Sequence, residues 1–143
     1  MNLAQALKKK NRLAQKIIKL QQEIQKENSA RADDPRKIKV EVSMKDLDST
    51  VSELIKLKVA IFVAATPMRE HILKIGELKS RIVFLGGIST SEGIVNDYGD
   101  DPVQYKAVYD KVWIKNQIEE CEELIDTIQD ELDKFNYATN IEV

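Results

Sequence analysis

Cysteine occurs once in the 143 residues, as Cys121, so no internal disulfide can staple the fold. That excludes the small secreted disulfide framework and is compatible with a reducing compartment. Proline (three) and glycine (five) are scarce, and Phe, Trp and Tyr together number eight, few for a β-sandwich of this length. No aromatic residue precedes Phe62, so the N-terminal region lacks the stacking platform expected of a single-strand nucleic-acid binder. Long apolar runs are also missing: the longest, Val59–Ala65, is seven residues, where a bilayer span needs about twenty. Lys8, Lys9, Lys10 and Arg12 look like the charged start of a secretory signal, but Gln and Lys keep returning and no apolar region follows. A cytoplasmic location is the expectation.

What the chain has instead is charge and helical periodicity. The net charge of −2 conceals an asymmetry. Residues 1–40 hold eleven Lys/Arg against four Asp/Glu (+7), residues 41–88 seven against six (+1), and residues 89–143 four against fourteen (−10). A basic helix in a chain that also supplies an acidic one has an internal or homo-oligomeric partner at hand, and nucleic acid is the competing partner.

Leu13, Ile17, Leu20 and Ile24 are spaced by four, three and four, and Leu3 and Ala6 extend that register backwards, which predicts one long amphipathic helix over about 2–29. Asp33, Asp34 and Pro35 end it. Ile38, Val40 and Val42 alternate with Lys39 and Glu41, the period-two mark of an extended segment over about 38–42. Ser43 with Asp46 then reads as a helix cap, and Leu47, Val51, Leu54, Ile61 and Phe62 supply a face for a helix over about 44–64, interrupted by Lys58. Thr66-Pro67 marks the start of a third helix over 67–86, with Ile75, Leu78, Ile82 and Leu85 as its stripe and Gly86-Gly87 as a left-handed stop. Residues 88–101 read as an exposed connection. Val103, Tyr105, Ala107 and Tyr109 suggest a second extended segment over about 103–109, able to pair with 38–42.

The strongest signal comes last. Ile114, Ile118, Cys121, Ile125, Ile128, Leu132 and Phe135 follow one another by four, three, four, three, four and three, predicting a helix over about 110–136. At about 1.5 Å per residue it is roughly 40 Å long and needs another long helix beside it; the first helix is the natural candidate by length and charge. The expected fold is therefore mainly α. One domain over residues 1–143, burying about two-thirds of its unfolded surface, would hold about four long antiparallel coiled-coil-like helices and a small two-stranded β element.

With this order explicit, several motifs resemble a septicolysin-like family of small, functionally uncharacterised bacterial helical proteins. They are the opening Met1-Asn2-Leu3-Ala4-Gln5-Ala6-Leu7, Arg12-Leu13 and Ile17, the hinge Ala64-Ala65-Thr66, the run Leu78-Lys79-Ser80-Arg81-Ile82, and the ending Leu132-Asp133-Lys134-Phe135-Asn136-Tyr137-Ala138-Thr139. The chain departs from the family pattern at Thr66–Arg69, where the connection is shorter, and at Asn136-Tyr137, where Asn-Trp is usual. The resemblance implies a mainly helical fold and supplies no catalytic residues.

Residues with chemical potential are better explained by architecture. His71, beside Glu70, lies near the register of Ile75 and Leu78; a di-iron bundle would need paired Glu-x-x-His motifs, and a zinc site would need more ligands than the distant Cys121. Cys121 falls on the heptad stripe as a small buried hydrophobe, and Glu119, Glu120, Glu122 and Glu123 around it are a poor setting for a thiolate. Those glutamates, with Asp126, Asp130 and Glu131, form a solvated helix face rather than carboxylates opposed across a cleft. Residues 96–101, Asn96-Asp97-Tyr98-Gly99-Asp100-Asp101, cluster oxygen ligands as a calcium loop does but lack EF-hand spacing and its distant Glu. Gly86-Gly87 has no following Lys-Ser/Thr and is not a phosphate loop. Tyr109 and Trp113 are expected to pack the β element onto the last helix. No catalytic, cofactor or metal residue is assigned.

The function expected from these residues is a non-enzymatic helical interaction or scaffold protein, self-associating into a homo-oligomer through apolar stripes and steered by the basic first and acidic last helices. The alternatives are non-specific nucleic-acid binding through Lys8, Lys9, Lys10, Arg12, Lys16 and Lys19, and the membrane-active cytolysis that the family name suggests.

Overall fold

Heptad spacing determines which face of each helix is covered, and the computed structural model shows what covers it. The structure describes residues 1–95, 99 and 101–143. Its elements are α1 (Leu3–Glu27), α2 (Val40–Ala64), a 3-10 turn (Thr66–Met68), α3 (Arg69–Gly86), β1 (Gly93–Val95), β2 (Val103–Tyr105) and α4 (Lys111–Ala138). The fold is mainly helical with a small two-stranded antiparallel sheet, as the sequence predicts. The chain divides into two compact units, Met1–Pro67 with Asp133–Val143, and Met68–Leu132.

In the first unit α1 pairs with α2. Lys9 meets Glu53 at 2.8 Å and Lys16 meets Asp46 at 3.2 Å, so numbers rise on one helix as they fall on the other and the pair is antiparallel. The α1 seam is the expected one, with Leu3, Ala6, Leu13 and Leu20 buried. The α2 seam is Val40, Ser43, Leu47, Thr50, Leu54, Leu57, Ile61 and Ala64, alternating steps of three and four with no exposed member. Thr50 tolerates burial because its hydroxyl donates to the Asp46 carbonyl oxygen at 2.7 Å.

This seam corrects two expectations. Residues 38–42 are not an extended segment, because Val40 and Ser43 are the first seam positions of α2; Val40 and Val42 belong to a helical turn, and three alternating residues cannot separate that from a strand. Ser43 accordingly lies inside the helix, and Lys39 occupies the cap position without a side-chain cap bond. The seam also runs through Leu57, rather than through Val51 and Phe62.

The chain ends close the unit. Asn2 caps α1 by a reciprocal capping box: its side chain accepts from the Gln5 backbone N–H at 2.8 Å, and the Gln5 side chain accepts from the Asn2 N–H at 3.0 Å. The Leu3 N–H donates to the Thr139 carbonyl at 2.7 Å and the Ile141 N–H to the Met1 carbonyl at 3.0 Å. This places Ile141 in the same buried cluster as Leu3, Ala6, Leu13, Leu54 and Leu57, with Phe135 packed against it.

In the second unit the partner of α4 is α3, not the first helix. Ile75 packs with Ile128 and Leu132, and Leu85 with Ile114 and Cys121, again antiparallel. The stripe Met68, His71, Ile75, Leu78, Ile82 and Leu85 has the same three-four spacing as the α4 stripe, so the two can cover each other along their length. Asp110 caps α4 by accepting from the Trp113 N–H at 2.8 Å.

The start of α3 differs from expectation. Thr66 does not cap it: its hydroxyl donates back to the Phe62 carbonyl at 3.2 Å, satisfying the last turn of α2, and α3 begins at Arg69 after the 3-10 turn. Gly87 has φ −89 and is right-handed, so Gly86-Gly87 is not a left-handed stop. Positive φ falls instead at Gly93 (+82) and Gly99 (+79), where a side chain would be strained. Gly93 opens the strand β1, which pairs with β2 in the register Gly93↔Tyr105, Ile94↔Gln104, Val95↔Val103. The strand partner of Val103–Tyr105 is thus local, and 106–109 lie outside the strand.

Candidate interaction surface

The basic N-terminal residues divide into two sets by their place on α1. Lys9 and Lys16 flank the seam and are held by Glu53 and Asp46 of α2. The Glu53 carboxyl is held below its ordinary range, first by the hydrogen bond from Lys9 and then by the charge of Lys9. Lys10 sits half-buried at a seam position. Lys8, Arg12, Lys19 and Lys26 lie on the opposite side, joined by Gln15 and Gln22 at steps of four, three, four, three and four. That outer stripe holds no carboxylate, its residues are exposed, and its four cations have no ion pair among the described residues.

On α4, Glu119, Glu123, Asp126 and Asp130 form the corresponding outer stripe, at steps of four, three and four, all exposed. Glu119 has only Lys115 of its own helix at 4.0 Å. The charges of the two units are opposed. Met1–Pro67 with Asp133–Val143 hold fifteen Lys/Arg against ten Asp/Glu (+5), and Met68–Leu132 hold seven against fourteen (−7).

Both middle helices also carry an apolar outer face. On α2, Ile55, Val59, Phe62 and Val63 are 57–65% exposed, on the side away from Leu54 and Leu57. On α3, Leu73, Val83 and Phe84 are 56–78% exposed, with Gly76 and Ser80 between them. A helix covered by water on its outer side normally carries polar residues there, and these apolar outer faces depart from that pattern.

The other residues singled out by sequence are placed as follows. His71 takes a seam position of α3, where its Nε2 lies 2.8 Å from Glu131 Oε2 on α4. Cys121 is buried in the α3–α4 seam as a free thiol. Tyr109 and Trp113 stack with centroids 3.9 Å apart and planes at 20°, with Trp113 half-buried against the Leu85 cluster. Of the oxygen-rich residues 96–101, Gly99 and Asp101 are described; Asn96, Asp97, Tyr98 and Asp100 lie outside the described residues. Among the described residues no three His, Cys, Asp or Glu side chains are grouped to hold a metal ion, and no helix is long and apolar enough to cross a membrane.

An open hollow of about 980 Å³ lies where α1 gives way to α2. Arg36, Lys37, Lys39 and Lys45 line it, but the Arg36 guanidinium is committed to the Glu27 and Asn28 carbonyls, where it closes the end of α1. No buried polar side chain is without a hydrogen-bond partner among the described residues. Among the described residues the geometry offers charged and apolar helix faces. Comparison with known proteins gave no match, whether to a family model, a curated protein or a solved structure.

Proposed function

We propose that this chain is a non-enzymatic helical interaction protein that acts as a scaffold by associating with further copies of itself. The observation that carries the reading is the outer face of α2. Ile55, Val59, Phe62 and Val63 point away from a seam already filled by Leu54, Leu57 and Ile61. Covering such a face removes apolar surface from water at roughly 25 cal/mol per Å², the same driving force that closes the seam itself. The opposed charges of the two units favour a second copy as the cover, since +5 on one and −7 on the other attract between molecules that are otherwise identical.

In this reading the septicolysin-like motifs at the two chain ends serve the scaffold. Asn2 and Gln5 cap α1, Thr139 receives its first free N–H, and Phe135 packs on the Leu3 cluster. Cytolysis receives no support from a chain whose described helices are too polar to span a bilayer.

Sedimentation equilibrium tests the proposal. The expected result is a mass above the 16.3 kDa of one chain that falls to one chain in the variant Val59→Asp, with the helical circular dichroism unchanged. A wild-type protein that sediments as one chain at every concentration and salt tried refutes it.

A further inference from the structure

The outer face of α2 supplies apolar surface for self-association, and the charge stripes point to a second contact that orients the copies. We propose that the outer cationic stripe of α1, Lys8, Arg12, Lys19 and Lys26, seats on the outer acidic stripe of α4, Glu119, Glu123, Asp126 and Asp130, of a second copy. This inference rests on the self-association reading and adds its contact and its steering.

Three observations lead there. First, both stripes lie opposite the helix's own seam: the cations are exposed on the side of α1 away from Leu13 and Leu20, and the carboxylates are exposed on the side of α4 away from Ile118, Cys121, Ile125 and Ile128. Neither is used in closing its own helix pair. Second, the stripes share a repeat. The carboxylates at 119, 123, 126 and 130 step by four, three and four, and the cations at 8, 12, 19 and 26 fall on the same repeat with Gln15 and Gln22 between them, so charges on two helices laid side by side share one register. Lys8 to Lys26 spans about 27 Å and Glu119 to Asp130 about 16 Å, so the shorter stripe fits within the longer. Third, nothing of opposite sign interrupts either one. Gln15 and Gln22 fill the remaining α1 positions, and the contacts that do neutralise α1, Lys9 with Glu53 and Lys16 with Asp46, leave the outer four cations untouched.

The cationic stripe is also a surface that a nucleic-acid backbone could use. The chain favours its own acidic stripe because the two stripes share one repeat and carry opposite charge, and because no aromatic side chain on α1 offers a base a stacking surface. In a two-fold dimer the contact occurs twice, α1 of each copy against α4 of the other. Association by such a route is steered at a distance and weakens as salt shortens the reach of charge, about 8 Å at physiological ionic strength.

The test uses two full-length variants, Arg12→Glu with Lys19→Glu, and Glu123→Lys with Asp126→Lys. All four positions are exposed, so circular dichroism is expected to match wild type and serves as the folding check. By sedimentation or fluorescence titration each variant alone should dissociate at about tenfold or more higher concentration than wild type, because two attractive contacts become repulsive. An equimolar mixture should restore wild-type association, since each copy then offers the stripe the other lacks. Four results overturn the inference. If both variants associate as wild type does, the stripes are not the contact, and self-association through the apolar faces stands without them. If each variant alone is weakened but the mixture is not rescued, the stripes do not meet between copies. If a DNA duplex binds wild type and is released by the Arg12→Glu, Lys19→Glu variant while self-association is unchanged, the partner of α1 is nucleic acid. If wild type itself is monomeric throughout, the self-association reading falls and this contact with it.

Discussion

Leu57 and Ile55 stand two residues apart on α2 and face opposite ways, so one pair of substitutions reports on both sides of the helix. Leu57 is 0% exposed in the α1–α2 seam and Ile55 is 57% exposed on the outer face. Truncating a fully buried leucine to alanine loses its transfer free energy and leaves a cavity that relaxes only in part, a cost of about 2–5 kcal/mol. Leu57 has Leu3, Ala6, Leu13, Leu54 and Ile141 in its cluster, drawn from two helices and the C-terminal segment, and such a site collapses poorly. A cost of about 3 kcal/mol is therefore expected for Leu57→Ala. For a urea slope of about 2 kcal/mol per molar, the unfolding midpoint then falls by about 1.5 M. Ile55→Ala removes surface that is already wet and should change the stability of the single chain by no more than about 0.5 kcal/mol, while weakening association with a second copy. Urea titration followed by circular dichroism, at protein concentrations low enough to hold the chain monomeric, separates the two effects. Equal midpoints for Leu57→Ala and wild type would refute the seam assignment. A large loss for Ile55→Ala under the same conditions would show that the outer face is covered within one chain.

Two further outcomes follow from local geometry. Asn2→Ala removes the capping box and should destabilise the first unit by about 1 kcal/mol, read as a lower urea midpoint, whereas Asn2→Ser should retain most of the stability because a serine oxygen can accept the same Gln5 N–H. Glu53, whose carboxyl Lys9 holds low, stabilises the folded chain above its unfolded pKa, and that contribution disappears as pH falls through the lower folded value. A carbon-detected titration of the Glu53 carboxyl should therefore give a midpoint below the usual glutamate range that returns to it in Lys9→Gln, and a midpoint insensitive to Lys9 would exclude the pairing.

Most of the helices were legible because their seams repeat without a break. The α1 register from Leu3 to Ile24 and the α4 register from Ile114 to Phe135 are found in the structure as read, and Cys121 takes the buried place its spacing assigned. The α2 seam was harder to read because it contains Thr50 and Ser43, polar residues that an apolar pattern passes over, while Val51, half-buried beside the seam, and Phe62, on the outer side, offer a competing apolar spacing. Thr50 is admissible only because its hydroxyl finds the Asp46 carbonyl, a bond that exists once the helix has formed. The strand pairing failed for another reason. Val103–Tyr105 has the composition of a strand in either pairing, and what selects Gly93–Val95 is a glycine able to take φ +82 at the start of a local hairpin.

Choice of partner was the least legible feature, and the reason is general to heptad helices. A three-four stripe specifies that a helix is covered but is nearly blind to what covers it, since α1, α2, α3 and α4 all present the same spacing. Length and gross charge pointed to α1 with α4. Instead α2 packs on α1 across the connection 28–39 and α3 on α4 across 87–110, while the shortest connection, 65–68, leads from α2 to α3. The consequence for function is specific. Were the basic and acidic helices partners within one unit, their charges would be spent on each other. Paired as they are with α2 and α3, they keep outer stripes of opposite sign, Lys8 to Lys26 and Glu119 to Asp130, on two separate units of every copy. The asymmetry that first suggested an internal match is thereby left available for a match between molecules.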